Sequence, residues 1–206
     1  MEYTSSPRAV LLDVGGVLTV DPWETLLLAP GVGIADRVGV DQVTAAHVGQ
    51  DLWETYARAA ADEDAYWLDL SQRLEVTIPA ALVRETELAL LQALPGAIAA
   101  LDALDRAGTP WGLITNNTSF WYPKQVALLG LGPGGPRWEF VSSAAHVTKS
   151  DPVGLFEVAA STLDAADFLV VDDREPNVER ALRAGFNATL CRPGEVLSVL
   201  SEEVNL

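Results

Sequence analysis

Two rhythms of apolar and polar positions divide the chain. Short apolar runs without a regular polar break occur at "RAVLL" (8–12), "WGLIT" (111–115) and "DFLVVDD" (167–173). "WEFVSS" (138–143) and "ATLCRP" (188–193) are shorter examples. Runs of this length are expected of strands buried on both faces. Residues 21–92 follow helical spacing instead. "DQVTAAHVGQDLWETYARAAA" begins at Asp41, a natural N-cap, and predicts one face built from Val43, Val48, Leu52, Tyr56 and Ala59. "DEDAYWLDLSQRLEV" opens acidic, as suits a helix N-terminus, and spaces Tyr66, Leu70 and Leu74 four apart. "PAALVRETELALLQAL" puts Pro79 at a helix start. No strand is predicted between 21 and 92.

From Pro95 helix and strand alternate. "PGAIAALDALDRAG" reads as a helix closed by Gly108, and "WYPKQVALLG" as a short helix before the loop "LGPGGP". "DPVGLFEVAASTL" predicts a helix with Asp151 as N-cap and Pro152 as its first residue. "EPNVERALRAG" is a helix closed by Gly185. Strands separated by helices imply right-handed crossovers, hence an α/β fold with a mainly parallel sheet flanked by helices.

Ligands in such sheets sit beyond the carboxyl ends of the strands, and polar groups gather there. Asp13 follows the first strand, Thr115, Asn116 and Asn117 the second, and Asp172 and Asp173 a later one, while Lys149 precedes the Asp151 helix. Each alone has an ordinary reading: a turn cap, a turn, a helix N-cap, a solvated lysine. Together, each at a strand end, they predict a site. Carboxylates converging on one rim repel unless neutralised, and a hard cation such as Mg²⁺ suits them. A carboxylate there can attack phosphorus, Thr115 and the following N–H groups can hold phosphate oxygens, and Lys149 can neutralise developing charge.

Composition narrows the partners. The 206 residues carry a net charge of −16, which disfavours a nucleic-acid partner, since phosphate backbones need clustered Lys and Arg. Lysine occurs only at 124 and 149, which makes Lys149 more conspicuous. Cys191 is the only cysteine, so neither an internal disulfide nor a cysteine zinc site is expected. The polar start "MEYTSSPRAV" does not read as a signal peptide, and no apolar run reaches the ~18–20 residues of a membrane span. The expectation is a cytoplasmic protein, monomer or homodimer, with a small-molecule substrate and no membrane or nucleic-acid partner.

Four stretches in order carry a family resemblance: "DVGGVL" at Asp13, "LITN" at Thr115, "KSDPVGLF" at Lys149 and "VVDDREPNVERALRAG" at Asp172 and Asp173. With them the chain resembles the haloacid dehalogenase superfamily over nearly its whole length. "LITNNTSFW" with "VVDDREPNVERA" is most similar to the branch of bacterial α-D-glucose-1-phosphatases. The resemblance implies a Rossmann-like core, 1–20 plus 93–206, with a helical cap inserted at 21–92. It further implies Mg²⁺-dependent phosphatase chemistry through an aspartyl-phosphate on Asp13. The metal would be held by Asp13, the backbone carbonyl of Gly15, Asp172, and waters positioned by Asp173.

Gly15 departs from the family pattern. Most family phosphatases have there an aspartate that protonates the leaving oxygen and later activates water. His47, Glu24 or another group of the cap is a candidate replacement. Two other readings compete: a weak or inactive binding protein, which Gly15 favours, and a metal-independent 2-haloacid dehalogenase, against which the adjacent acidic pair speaks. Phosphonate hydrolysis in this superfamily uses a cap lysine, and 21–92 contains none. Trp23, Trp53, Trp67, Tyr56 and Tyr66 are candidate pocket walls, with helix packing as their alternative. Phe120 and Trp121 could reach the site mouth. Arg58, Arg73 and Arg84 are the cap cations available to an anionic substrate.

Overall fold

The structure, a computed structural model, describes residues 7–132 and 135–204. The polar start (1–6) and part of the 131–136 loop lie outside the described residues. The chain runs β1 (Ala9–Leu12), α1 (Pro22–Leu28), α2 (Ile34–Val38), α3 (Gln42–Tyr56), α4 (Glu63–Arg73), α5 (Ala80–Leu90) and α6 (Ala97–Ala107). It continues β2 (Trp111–Thr115), α7 (Trp121–Leu128), β3 (Glu139–Val141), α8 (Ser142–Ala145), α9 (Leu155–Ala160), β4 (Phe168–Asp172), α10 (Glu175–Arg183), β5 (Asn187–Leu190) and α11 (Val196–Glu203).

The strands form one parallel sheet in the order β3-β2-β1-β4-β5. Successive side chains of a strand point to opposite faces. Val10 and Leu12 therefore join Leu113, Leu169 and Val171 under α6 and α11, while Ala9 and Leu11 join Ile114, Val170 and Phe156 on the other face. Both faces are covered, which is why β1, β2 and β4 are buried throughout and apolar up to Thr115 and Asp172 at their carboxyl ends. The architecture is the expected Rossmann-like α/β fold.

Helices α1–α5 build a second core from Trp23, Leu26, Leu27, Leu52, Tyr66 and Leu70, which Trp121 of α7 joins. The two crossings between this segment and the sheet run antiparallel. Val20 N–H donates to Gln92 O at 3.1 Å, and Leu94 N–H to Leu18 O at 2.9 Å.

Several local expectations are corrected. The buried side of α3 is Ala45, Gly49, Leu52 and Trp53, and Val43 is exposed. Gly49 sets this face, because a Cβ there would stand 2.6 Å from Leu27 Cδ2 and 3.0 Å from Trp23, so α1 and α3 approach too closely for a side chain. Asp41 caps the helix as expected, accepting from Val43 and Thr44 N–H at 3.0 Å each. The helix predicted from Pro152 starts at Leu155. The Glu157 carboxylate accepts the Gly154 N–H at 2.8 Å, which fixes the start there. Asp151 is turned back instead, accepting the Thr148 N–H at 2.6 Å and pairing with Arg58 at 2.6 Å. The 138–143 strand stops at Val141, where α8 begins, and α11 extends the series past "ATLCRP".

Candidate functional site

Because β1, β2 and β4 are parallel and adjacent, their carboxyl ends open on one rim. β1 sits where the chain order reverses, the usual place for a crevice. Asp13 continues the ladder, its N–H donating to Val171 O at 2.9 Å, so its side chain is delivered to that rim. Asp13 Oδ1 accepts the Val14 N–H at 2.7 Å. Lys149 Nζ lies 2.6 Å from Asp13 Oδ2 and 2.7 Å from Asp172 Oδ2, and its side chain is fully buried. Asp172 Oδ1 accepts from Arg174 N–H and Asn177 Nδ2, each at 3.0 Å. One oxygen from each of Asp13, Asp172 and Asp173 lies within 4.8 Å of the others.

One ammonium faces three carboxylates, and the imbalance shows in their acidities. Burial pushes the Asp13 carboxyl up to about 7, against the pull of Lys149 and with help from Asp172 and Asp173. Burial and Asp172 likewise raise Asp173. Burial works against the Lys149 ammonium, but its two carboxylate partners overcome that and raise its pKa. Among the described residues Asp173 Oδ1 is buried without a hydrogen-bond partner. A set of carboxylate oxygens short of positive charge, one of them unpartnered, has the donor chemistry of a hard divalent cation site.

The two glycines after Asp13 differ. Gly16 has φ +81°, and a Cβ there would run into the Asp173 carboxyl group, 2.9 Å from Oδ1. At Gly15 the nearest atom to a Cβ is Asp21 Cα at 3.5 Å, an ordinary contact. The backbone therefore requires glycine at 16, and steric exclusion does not explain it at 15.

A cleft of about 450 Å³ opens over the cluster, lined by Asp13, Gly15 and Asn116 from the sheet side and by Gln50, Trp53 and Glu54 from α3. Asn116 Oδ1 accepts the Lys149 N–H at 2.8 Å, which leaves its amide nitrogen as a donor. Thr115 is fully buried at the end of β2. A larger groove of about 950 Å³ between α4 and α5, lined by Trp67, Arg84 and Glu87 among others, contains no member of the acidic cluster.

Of the aromatic candidates, Trp53 lines the cleft. Tyr66 and Trp67 are buried in the helical core, and Trp23 packs with them. Trp121 is fully buried and stacks on Trp53 at 5.7 Å, so it ties α7 to the helical segment instead of reaching the mouth. Arg58 is held by Asp151, and Arg73 by Asp51. His47 and Glu24 are exposed.

The cleft's cations are Arg174 and Arg180, at the start of α10 and along it, and beside Asp13 and Glu54 it holds a further acid, Asp21. Sequence reasoning missed all three. The arginines stand in "DDREPNVER", where the adjacent acidic pair carries the stronger sequence signal. Asp21, directly before Pro22, reads as a plain helix N-cap. Arg174 reaches Asp21 Oδ2 at 3.2 Å and Glu24 at 3.5 Å. Burial pushes the Asp21 carboxyl up to about 7, Arg174 opposing.

A parallel sheet with buried acids and a buried lysine at its switch point, overhung by a helical segment, describes an α/β hydrolytic enzyme. A family model for haloacid dehalogenase-like hydrolases matches residues 7–185, and the chain belongs to that family. Its structure resembles a family enzyme from Bacteroides thetaiotaomicron at 15% identity and TM-score 0.75, covering 95% of this chain and 98% of that one. The Bacteroides enzyme has also been solved with magnesium and inorganic phosphate. A HAD-like family hydrolase from Porphyromonas gingivalis matches at 20% identity and TM-score 0.67, over 96% and 98% of the two chains. An L-2-haloacid dehalogenase matches at 20% and 0.64, over 98% and 100%. At these identities the likeness is one of fold. Among curated protein sequences no relative matches. No helix among the described residues is long and apolar enough to cross a membrane.

Proposed function

We propose that the chain is a Mg²⁺-dependent phosphatase of a small phosphorylated metabolite, in the class of sugar phosphates. The observation that carries this reading is the cluster of Asp13, Asp172 and Asp173 around Lys149. The donor set fits Mg²⁺, with Asp13, Asp172 and the Gly15 carbonyl as ligands and Asp173 beside them. When bound, the ion would supply charge neutralisation for the phosphoryl group.

Asp13 is the nucleophile: its carboxylate attacks phosphorus and the bond to the leaving oxygen breaks, giving an aspartyl-phosphate. Lys149 holds the Asp13 carboxylate in place and offsets charge on the transferring group. Thr115 and Asn116 hold phosphate oxygens. Segment 21–92 acts as the cap over the 1–20 plus 93–206 core, and Gln50, Trp53 and Glu54 face the substrate from it. A cytoplasmic setting and a monomer or homodimer belong to the same proposal.

The magnesium and phosphate complex of the Bacteroides enzyme supports this reading, and the dehalogenase neighbour favours a metal-independent alternative. A panel of sugar, nucleotide and short-chain phosphates, assayed for phosphate release with and without Mg²⁺, separates them. Halide release from 2-haloacids without added metal would establish the alternative. Silence on both panels would favour a binding protein.

A further inference from the structure

Resting on the phosphatase reading, we propose that Asp21 is the proton-transfer group of this enzyme, supplied from across the turn in place of a side chain at position 15. Three observations converge on it. First, the two positions adjoin: a Cβ on Gly15 would stand 3.5 Å from Asp21 Cα, 3.8 Å from its Cβ and 3.7 Å from its Oδ2. The Asp21 carboxyl thus stands beside the place of a residue-15 side chain, at ordinary contact distance. Second, Asp21 stands at the N-cap of α1 but caps it weakly. It precedes α1 with extended backbone, and the Glu24 N–H draws on its carboxylate without closing a capping hydrogen bond. Asp41 and Asp62, the N-caps of α3 and α4, both make them. Third, the group is turned to the cleft. Asp21 lines it together with Asp13 and Gly15, its Oδ2 is steered by Arg174, and among the described residues its Oδ1 is buried without a partner. An unpartnered buried carboxyl oxygen costs free energy unless a ligand or water completes it.

The step balances. As the Asp13 carboxylate bonds to phosphorus and the bond from phosphorus to the substrate oxygen breaks, the Asp21 carboxyl gives its proton to that oxygen, which leaves as an alcohol. The Asp21 carboxylate then takes a proton from water while the water oxygen attacks phosphorus. The bond between phosphorus and Asp13 breaks, inorganic phosphate leaves, and Asp21 is again protonated. Arg174 is a positioning residue for this carboxyl.

The test compares wild type, Asp21→Asn and Asp21→Asn/Gly15→Asp on an alkyl phosphate and on para-nitrophenyl phosphate, whose leaving oxygen needs little protonation. Asp21→Asn is expected to slow the alkyl phosphate by about 10²–10⁴-fold. The initial burst on the aryl phosphate should change far less. Water attack is also slowed, so phosphorylated Asp13 should accumulate and be visible by intact mass after rapid quench. The double variant should recover part of the alkyl rate, which a merely structural defect at 21 would not do. Equal losses on both substrates with no trapped phosphoenzyme and no recovery by Gly15→Asp would overturn the assignment while leaving the phosphatase reading intact. No phosphate release by wild type from either substrate would overturn both.

Discussion

Gly15 and Gly16 offer a sharp test, because the structure assigns opposite tolerances to neighbouring residues of one type. Replacing Gly16 by alanine places an L-residue at φ +81°, which costs roughly 1–2 kcal/mol. Its Cβ also collides with the Asp173 carboxyl group, which must swing away and leave the acidic cluster. Gly15→Ala meets nothing nearer than 3.5 Å and needs no left-handed backbone. That substitution gains about 0.4–1 kcal/mol by restricting the unfolded chain. The two variants should therefore differ by about 1.5–3 kcal/mol, a large share of a total stability of about 5–15 kcal/mol. Urea denaturation followed by circular dichroism reads this difference directly. Calorimetric titration with Mg²⁺ reads the second consequence: binding weakened in Gly16→Ala and kept in Gly15→Ala. Equal stabilities, or loss of metal binding in Gly15→Ala alone, would refute the steric reasoning.

Four further outcomes are expected. Asp13→Asn should lose phosphate release entirely while keeping its far-ultraviolet circular dichroism; unchanged turnover would remove Asp13 as nucleophile. Lys149→Met strands two buried carboxylates, Asp13 and Asp172, and should cost about 3–5 kcal/mol in metal-free urea denaturation; a loss under 1 kcal/mol would show that the pair is not buried in solution. Trp121→Ala removes a fully buried ring between α7 and the helical core, and should cost about 3–5 kcal/mol by the same measurement. Burial tends to raise the Asp151 carboxyl, but the Thr148 N–H and Arg58 outweigh it and hold it below its ordinary value. Its stabilisation is therefore present above about pH 4 and lost as pH falls through the lower folded value. Asp151→Asn should flatten the melting-temperature curve on that acidic side, and an unchanged slope there would contradict the assignment.

Much of the sheet was legible because a strand buried on both faces leaves a continuous apolar signature, as in "RAVLL", "WGLIT" and "DFLVV". The convergence of Asp13 with Asp172 and Lys149 was legible for a related reason: parallel strands open their carboxyl ends on one rim. Helix faces were less legible. Val43 and Ala45 both fit an apolar stripe on α3, and only the approach of α1 to Gly49 decides which is buried. Asp151 and Pro152 form a sound helix start locally, but Arg58, more than 90 residues earlier, holds the carboxylate elsewhere.

By itself, then, the sequence determined the parallel α/β core, the helical character of the run between β1 and β2, and the acids and lysine of the rim. These follow from periodicity and from residues fixed at strand ends, both of which are local properties. The tertiary structure decided what fills the space beside Gly15. The turn after β1 and the start of α1 fold back on each other, so that Asp21, six positions along the chain, stands against the missing side chain. Spacing along the chain carries no mark of that contact, because it depends on how two loops meet in space.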